Sequence, residues 1–205
     1  MSFYSQKILP YLLDWAMSDS AYGEYRRAVL SEVQGEVLEI GFGTGLNLSY
    51  YPEQIHKLVA IDANPGMNAL ARKRVENARI TVDHRVLNGE SLPMADGSFD
   101  SVVSTWVLCS IAQVEQALQE VYRVLKPGGR FFFVEHGLSN EPTVQVWQNR
   151  LTPLQKVIAD GCHFNRNIRK LVEQQFEQVT IDEFYADKTP KIVGYLYKGI
   201  ATKRE

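Results

Sequence analysis

The chain has 205 residues, 45% of them hydrophobic, and a formal net charge of -2. That length buries one substantial core, so a single domain is expected, and the near-neutral balance excludes a global basic surface for nucleic acid phosphates or an anionic bilayer. Cys109 and Cys162 are too few for a disulfide framework, no charged and then apolar leader is read at the start, and no apolar run nears the roughly 20 residues of a membrane span. A cytoplasmic protein without stable membrane insertion is the expectation.

In chain order, "KILPYLLDWAM" and "AYGEYRRAVLSEV" carry apolar residues at helical spacing, which predicts a helical cap over residues 1–33 covering one edge of a sheet. A core follows over residues 35–138. There "GEVLEI", "KLVAID" and "FDSVVSTWV" read as strands each followed by a helical stretch, and "ARITVDHRVLN" supplies a further strand between the last two. In "RVLKPGGRFFFVEHG" a helix stops at Pro and two Gly before a fifth strand. Such alternation implies parallel strands joined by crossover helices. Residues 139–205 hold an acceptor-side insertion and then two strand-like runs, "QVTIDEFYA" and "KIVGYLYKGIATK". With only "ADKTPK" between them and no helix, they are predicted to pair antiparallel as a hairpin. The expected fold is α/β: a doubly wound, seven-stranded, mostly parallel, Rossmann-like sheet.

The stretch "EVLEIGFGTGLNLSYYPE" runs from a strand into Gly41, Gly43 and Gly45 and then into a helix-like segment. Glycine permits positive φ and close approach of a ligand, and the following helix is expected to direct its free N–H groups and positive end at the same point. A nicotinamide or flavin fingerprint wants its third glycine one place later, where Leu46 stands. No lysine or arginine lies between residues 39 and 49, and the Gly-Lys-Ser/Thr of a phosphate-binding loop is missing, which disfavours a nucleoside triphosphate. Asp62 ends the second strand, where its two oxygens can take both hydroxyls of a ribose. Asn64 and Pro65 are expected to cap and start the next helix.

Four motifs in order, "VLEIGFGTG", "VAIDANPGM", "NGESLPMADGSFDSVV" and "VYRVLKPGGRFFFVE", resemble those of the class I S-adenosylmethionine-dependent methyltransferases. The resemblance implies S-adenosyl-L-methionine as cofactor, S-adenosyl-L-homocysteine as product, and a small-molecule methyl acceptor. It implies that Gly41, Gly43 and Gly45 hold the methionine end. Asp62 would hold the ribose, with Ala63 and Met67 beside it, and Asn88, Gly89 and Glu90 would lie along the adenine. Where the family often has Asp, this chain has Asn88, whose amide oxygen still accepts a hydrogen bond. Glu39 either faces the cofactor's ammonium or is satisfied within the strand, and Thr105 joins the cofactor set.

Past these motifs, "STWVLCSI", "FVEHGL" and "VIADGCHFNR" resemble the methyltransferase-like thiol S-methyltransferases, which implies a small alkyl thiol as acceptor. Thr105, Trp106 and Cys109 follow the fourth strand and His136 the fifth, at the carboxyl edge where open parallel sheets bind ligands. His136 either takes a thiol proton as catalytic base or is a strand-end histidine bonded to a carbonyl. Cys109 either touches substrate or packs in the core, as does Cys162. Asp160 and His163 orient an acceptor, or cap and solvate. Trp147, Phe164 and Phe176 form an acceptor lid or a core face. No C-x-x-C or H-E-x-x-H spacing occurs, so no metal site is expected. A lipid-headgroup or quinone-precursor methyltransferase and a non-catalytic cofactor-binding module are the alternatives.

Overall fold

The computed structural model describes residues 3–205, the side chains of 68 and 69 excepted. Helices α1 (Phe3–Lys7), α2 (Leu9–Met17) and α3 (Ser20–Leu30) open the chain. Asp19 starts α3 by accepting the Ala21 N–H at 2.9 Å. Strands β1 (Val37–Ile40), β2 (Lys57–Asp62), β3 (Thr81–Val86), β4 (Phe99–Thr105) and β5 (Leu125–His136) follow, with α4 (Asn68–Glu76) after β2 and α5 (Val114–Val124) after β4. The remainder is α6 (Pro142–Ile158), α7 (Ile168–Gln175), β6 (Gln178–Tyr185), α8 (Lys191–Gly194) and β7 (Tyr195–Thr202).

The seven strands form one sheet in the order β3-β2-β1-β4-β5-β7-β6. The first five run parallel, and β7 pairs antiparallel with both β5 and β6. Strand order reverses between β1 and β4, which opens a crevice beyond their carboxyl ends. Both faces of the sheet are covered, which is why "RFFFV" is continuously apolar rather than alternating. Phe131 and Phe133 point to one face, Phe132 and Val134 to the other, and all four are wholly buried. On α5, Val114, Ala117, Leu118, Val121 and Val124 repeat at helical spacing and are buried, each large side chain contributing roughly 1.5–3 kcal/mol by leaving water.

Three expectations are corrected by this architecture. First, α3 does not cap a sheet edge: Val29 and Leu30 join the cluster around Phe132 and Val134 and so cover a face. Second, the helical stretch expected after β1 is only a 3-10 turn, Leu46–Ser49, so with the loop between β3 and β4 only two of the first four strand connections contain an α-helix. Third, the β6–β7 hairpin contains the four-residue α8, formed by the "KIVG" that was expected to begin the second strand.

Candidate active site

The loop after β1 is tied down before it meets any ligand. Gly41 and Phe42 both donate their N–H groups to the Ile61 carbonyl, at 2.8 and 3.0 Å. Gly41 has φ +71°, and a Cβ there would lie 2.1 Å from the Val107 side chain, so no other residue fits. Gly43, at φ +56°, donates its N–H to Asp62 Oδ2 at 2.8 Å, while Asp62 Oδ1 accepts the Asn64 N–H at 2.7 Å. Each carboxylate oxygen therefore spends one acceptor position on backbone and keeps another. Burial pushes the Asp62 carboxyl above its usual range. In place of the expected α-helix, Gly45 at φ +80° leads into the short 3-10 turn, so little helix dipole is aimed at the crevice. Asn64 closes a turn onto the Gly66 N–H at 2.8 Å and does not cap α4 directly.

Behind the loop lies a buried polar network. Glu39, 1% exposed, accepts from Tyr51 OH at 2.7 Å and from Asn47 Nδ2 at 2.9 Å. The same Asn47 Nδ2 donates to Thr105 Oγ1 at 3.0 Å. Burial raises Glu39 to a pKa of about 7 against the pull of these donors. Asn47 Oδ1 and Arg26 Nε are buried without a partner among the described residues. Arg26 otherwise donates to the Met17 carbonyl at 2.9 Å and lies 4.8 Å from the Trp106 ring centroid.

Glu39, Asn47, Thr105, Arg26 and Trp106 line a single cavity of about 720 Å³, which also takes in Ala63, Met67, Asn88, Gly89, Glu90, Cys109 and His136. Asn88 Oδ1 accepts from the Glu90 N–H at 3.1 Å, and Glu90 Oε1 accepts from the Gln113 N–H at 2.8 Å. Trp106 holds φ 55°, an uncommon conformation for an aromatic residue, and turns the chain so that Cys109 meets the strand ends. His136 Nε2 lies 3.0 Å from Cys162 Sγ. Cys109 beside it and burial push the Cys162 thiol well above its usual value, while for His136 burial works against the charged ring yet the hydrogen bond and charge of Cys162 and the charge of Glu135 raise it above the ordinary imidazole value.

Two expected site residues fall outside the cavity lining: Gly45, and Trp147, which is 53% exposed on the outer face of α6. Phe176 is core at 1% exposure, whereas Phe164 and Asp160 do reach the cavity. The expectation of no metal site rested on missing local spacing. The fold instead brings ligand atoms of Cys109, His136 and Cys162 within 4.8 Å of one another.

The motifs gave no sign of Asp14, Met17, Tyr22 and Arg26, which line the cavity from α2 and α3. One signal was present: Arg26 shares its helix face with the apolar Val29 and Leu30, so a charge was being turned inward.

Comparison with known proteins completes this picture. The family described as "Methyltransferase domain" matches residues 38–133. Thiol S-methyltransferase TMT1B of Rattus norvegicus is 40% identical over 153 residues, spanning 71% of this chain and 62% of that protein. The phosphatidylethanolamine N-methyltransferase of Cereibacter sphaeroides is 31% identical over 199 residues, 93% of this chain and 94% of its own length. The chain belongs to the S-adenosylmethionine-dependent methyltransferases. A SAM-dependent methyltransferase of Thermotoga maritima shares the fold, with a TM-score of 0.68 over 98% of both chains at 23% identity. The methyl donor of this methyltransferase is S-adenosylmethionine. The cavity fits that donor: its unpaired acceptor at Asn47 Oδ1 and unpaired donor at Arg26 Nε complement an ammonium and a carboxylate, and Asp62 keeps acceptor capacity for hydroxyls.

Proposed function

We propose that the enzyme methylates the sulfur of a small apolar thiol. The observation that carries this reading is the lining of the cavity, where the apolar Leu13, Met17, Phe164, Val193 and Leu196 accompany His136 and two thiols, with Asp160 reaching it from the loop that carries Cys162. Such a wall suits an uncharged alkyl chain. The thiol S-methyltransferase relative supports the same acceptor class.

Bound there, the donor supplies an electrophilic methyl group on a cationic sulfur. Asp62 holds the ribose hydroxyls, Gly41 and Gly43 give the chain room, and Asn88, Gly89 and Glu90 run beside the adenine, with Ala63 and Met67 packed near it. Glu39 and Asn47 take the ammonium, Arg26 the carboxylate, and Thr105 fixes the Asn47 amide. His136 Nε2 is the group placed to take a proton from an entering thiol, whose ordinary pKa is about 8.5. The apolar wall excludes water from the thiolate, which sharpens its attack opposite the departing sulfur. Positioning is the main contribution, because a leaving group that becomes neutral needs no acid.

The test is turnover with labelled cofactor on a panel of alkyl thiols, phenols, quinol precursors and phospholipids. Transfer to thiols is expected. Transfer confined to phospholipids or quinol precursors defeats the acceptor assignment, and cofactor binding with no transfer marks a non-catalytic module. Asp62→Ala is expected to weaken S-adenosylhomocysteine about 100-fold in calorimetry, with the circular dichroism of the fold retained, since hydrogen bonds to a charged group contribute roughly 1.5–3 kcal/mol.

A further inference from the structure

Cys109, His136 and Cys162 come from three separate stretches: the turn after β4, the last residue of β5 and the loop after α6. Their convergence is built into the backbone. The His163 N–H donates to the Cys109 carbonyl at 2.9 Å, which pins the loop carrying Cys162 to the turn carrying Cys109. Asp160, at φ 46°, and Gly161, at φ 96°, bend that loop, and a Cβ on Gly161 would stand 3.1 Å from the Ser110 carbonyl. Strained backbone of this kind persists where the surroundings enforce it. Both cysteines are buried, at 2% and 6% exposure, and all three side chains line the cavity.

We propose that Cys109, His136 and Cys162 form a site for a thiophilic divalent cation, Zn²⁺ by its chemistry, with a fourth position open to the acceptor end of the cavity. Two sulfurs and one imidazole are a ligand set zinc selects, and three protein ligands with one open position is its catalytic rather than its structural arrangement. Zinc bonds of about 2.3 Å to sulfur and 2.0–2.1 Å to nitrogen place tetrahedral ligand atoms roughly 3.5 Å apart. The pair at 3.0 Å and the trio within 4.8 Å bracket that value.

A coordinated cation deprotonates its thiol ligands outright, and two thiolates cancel its double charge, leaving the buried site neutral.

The proposal rests on the thiol reading above and deepens it. A thiol entering the open position bonds to the cation through sulfur as its S–H bond breaks and the proton leaves to water. The sulfur then forms its bond to the methyl carbon as the carbon–sulfonium bond breaks, and the neutral thioether departs. His136 serves in this form as ligand in place of proton acceptor.

The experiment begins with the whole chain stripped by a chelator and titrated with Zn²⁺ in competition with a chromophoric chelator, then with Co²⁺ followed by visible absorption. One equivalent of zinc and a tetrahedral, thiolate-coordinated cobalt spectrum are expected. Cys109→Ser and Cys162→Ser should each weaken zinc by more than about 100-fold, the upper end of what losing a mere outer-shell partner does. No binding, or binding unchanged in both variants, overturns the site. The cobalt spectrum of the unaltered chain separates ligation from any folding defect of the variants: absence of thiolate bands overturns the ligand assignment. Turnover distinguishes the two readings. A zinc-binding chain that methylates no thiol keeps the site and loses the acceptor assignment. A stripped chain that methylates thiols as fast as the loaded one keeps the acceptor assignment and overturns the cation's part in it.

Discussion

Glu39 is a carboxyl group sealed behind the cofactor loop, and its position sets a pH signature. Its pKa moves from the ordinary 4.5 to about 7 because burial disfavours the charged form more than Tyr51 and Asn47 favour it. Between those values the folded chain holds a proton that the unfolded chain has released, so this group's contribution to stability falls as pH rises from 4.5 to 7. Glu39→Gln has no such proton. The stability of the variant relative to the parent should therefore improve by ~3 kcal/mol between pH 4 and pH 8, at about 1.36 kcal/mol per pKa unit. Urea midpoints at the two pH values measure this, and parallel shifts in parent and variant would refute the assignment. Gly41, Asp62 and Asn88 were legible in the sequence because each sits next to its own motif. Arg26 and Asn47 were not, because an orphaned buried atom becomes visible only when the fold closes around it.

At the scale of elements, α2 is strapped over the glycine loop by a few polar ties. Asp14 accepts from Thr44 Oγ1 at 2.6 Å and pairs with Arg74 on α4 at 2.7 Å. Burial works against ionisation of Asp14, yet the bonds from Arg74 and Thr44 and the charge of Arg74 hold its carboxyl below the usual range. The pair is partly exposed, at 33% and 21%, so its energy is modest. Asp14→Ala should speed cofactor release about tenfold, read by stopped flow, through one lost hydrogen bond and a weak ion pair, while the melting point of the sheet stays nearly constant. An unchanged release rate would show that α2 does not hold the cofactor. The helices were readable from their apolar spacing, but their placement was not. A period of 3.6 says which face is inward and leaves open whether a sheet edge, a sheet face or a ligand receives it.

For the molecule as a whole, the site occupies the crevice at the carboxyl ends of β1 and β4, so a ligand there bridges both halves of the sheet. S-adenosylhomocysteine at 100 times its dissociation constant should stabilise the fold by about 2.7 kcal/mol, which for a chain of this size raises the melting temperature by roughly 5–10 °C. Calorimetric scans at graded ligand concentration check this, and a melting point indifferent to ligand would remove the crevice as the binding place. The parallel half of the sheet could be inferred from repeated apolar strands. The position of β7 between β5 and β6 could be inferred only as far as the hairpin, because nothing local marks which of two similar strands faces inward. That position carries a consequence for biosynthesis. The outermost strand is synthesised before the strand that attaches it, and at roughly 5–20 residues per second it waits about one to three seconds with its hydrogen-bonding edge bare. Its alternation of exposed and half-buried side chains, with charged Asp182 and Glu183 among them, keeps that unpaired ribbon from sticking to others during the interval.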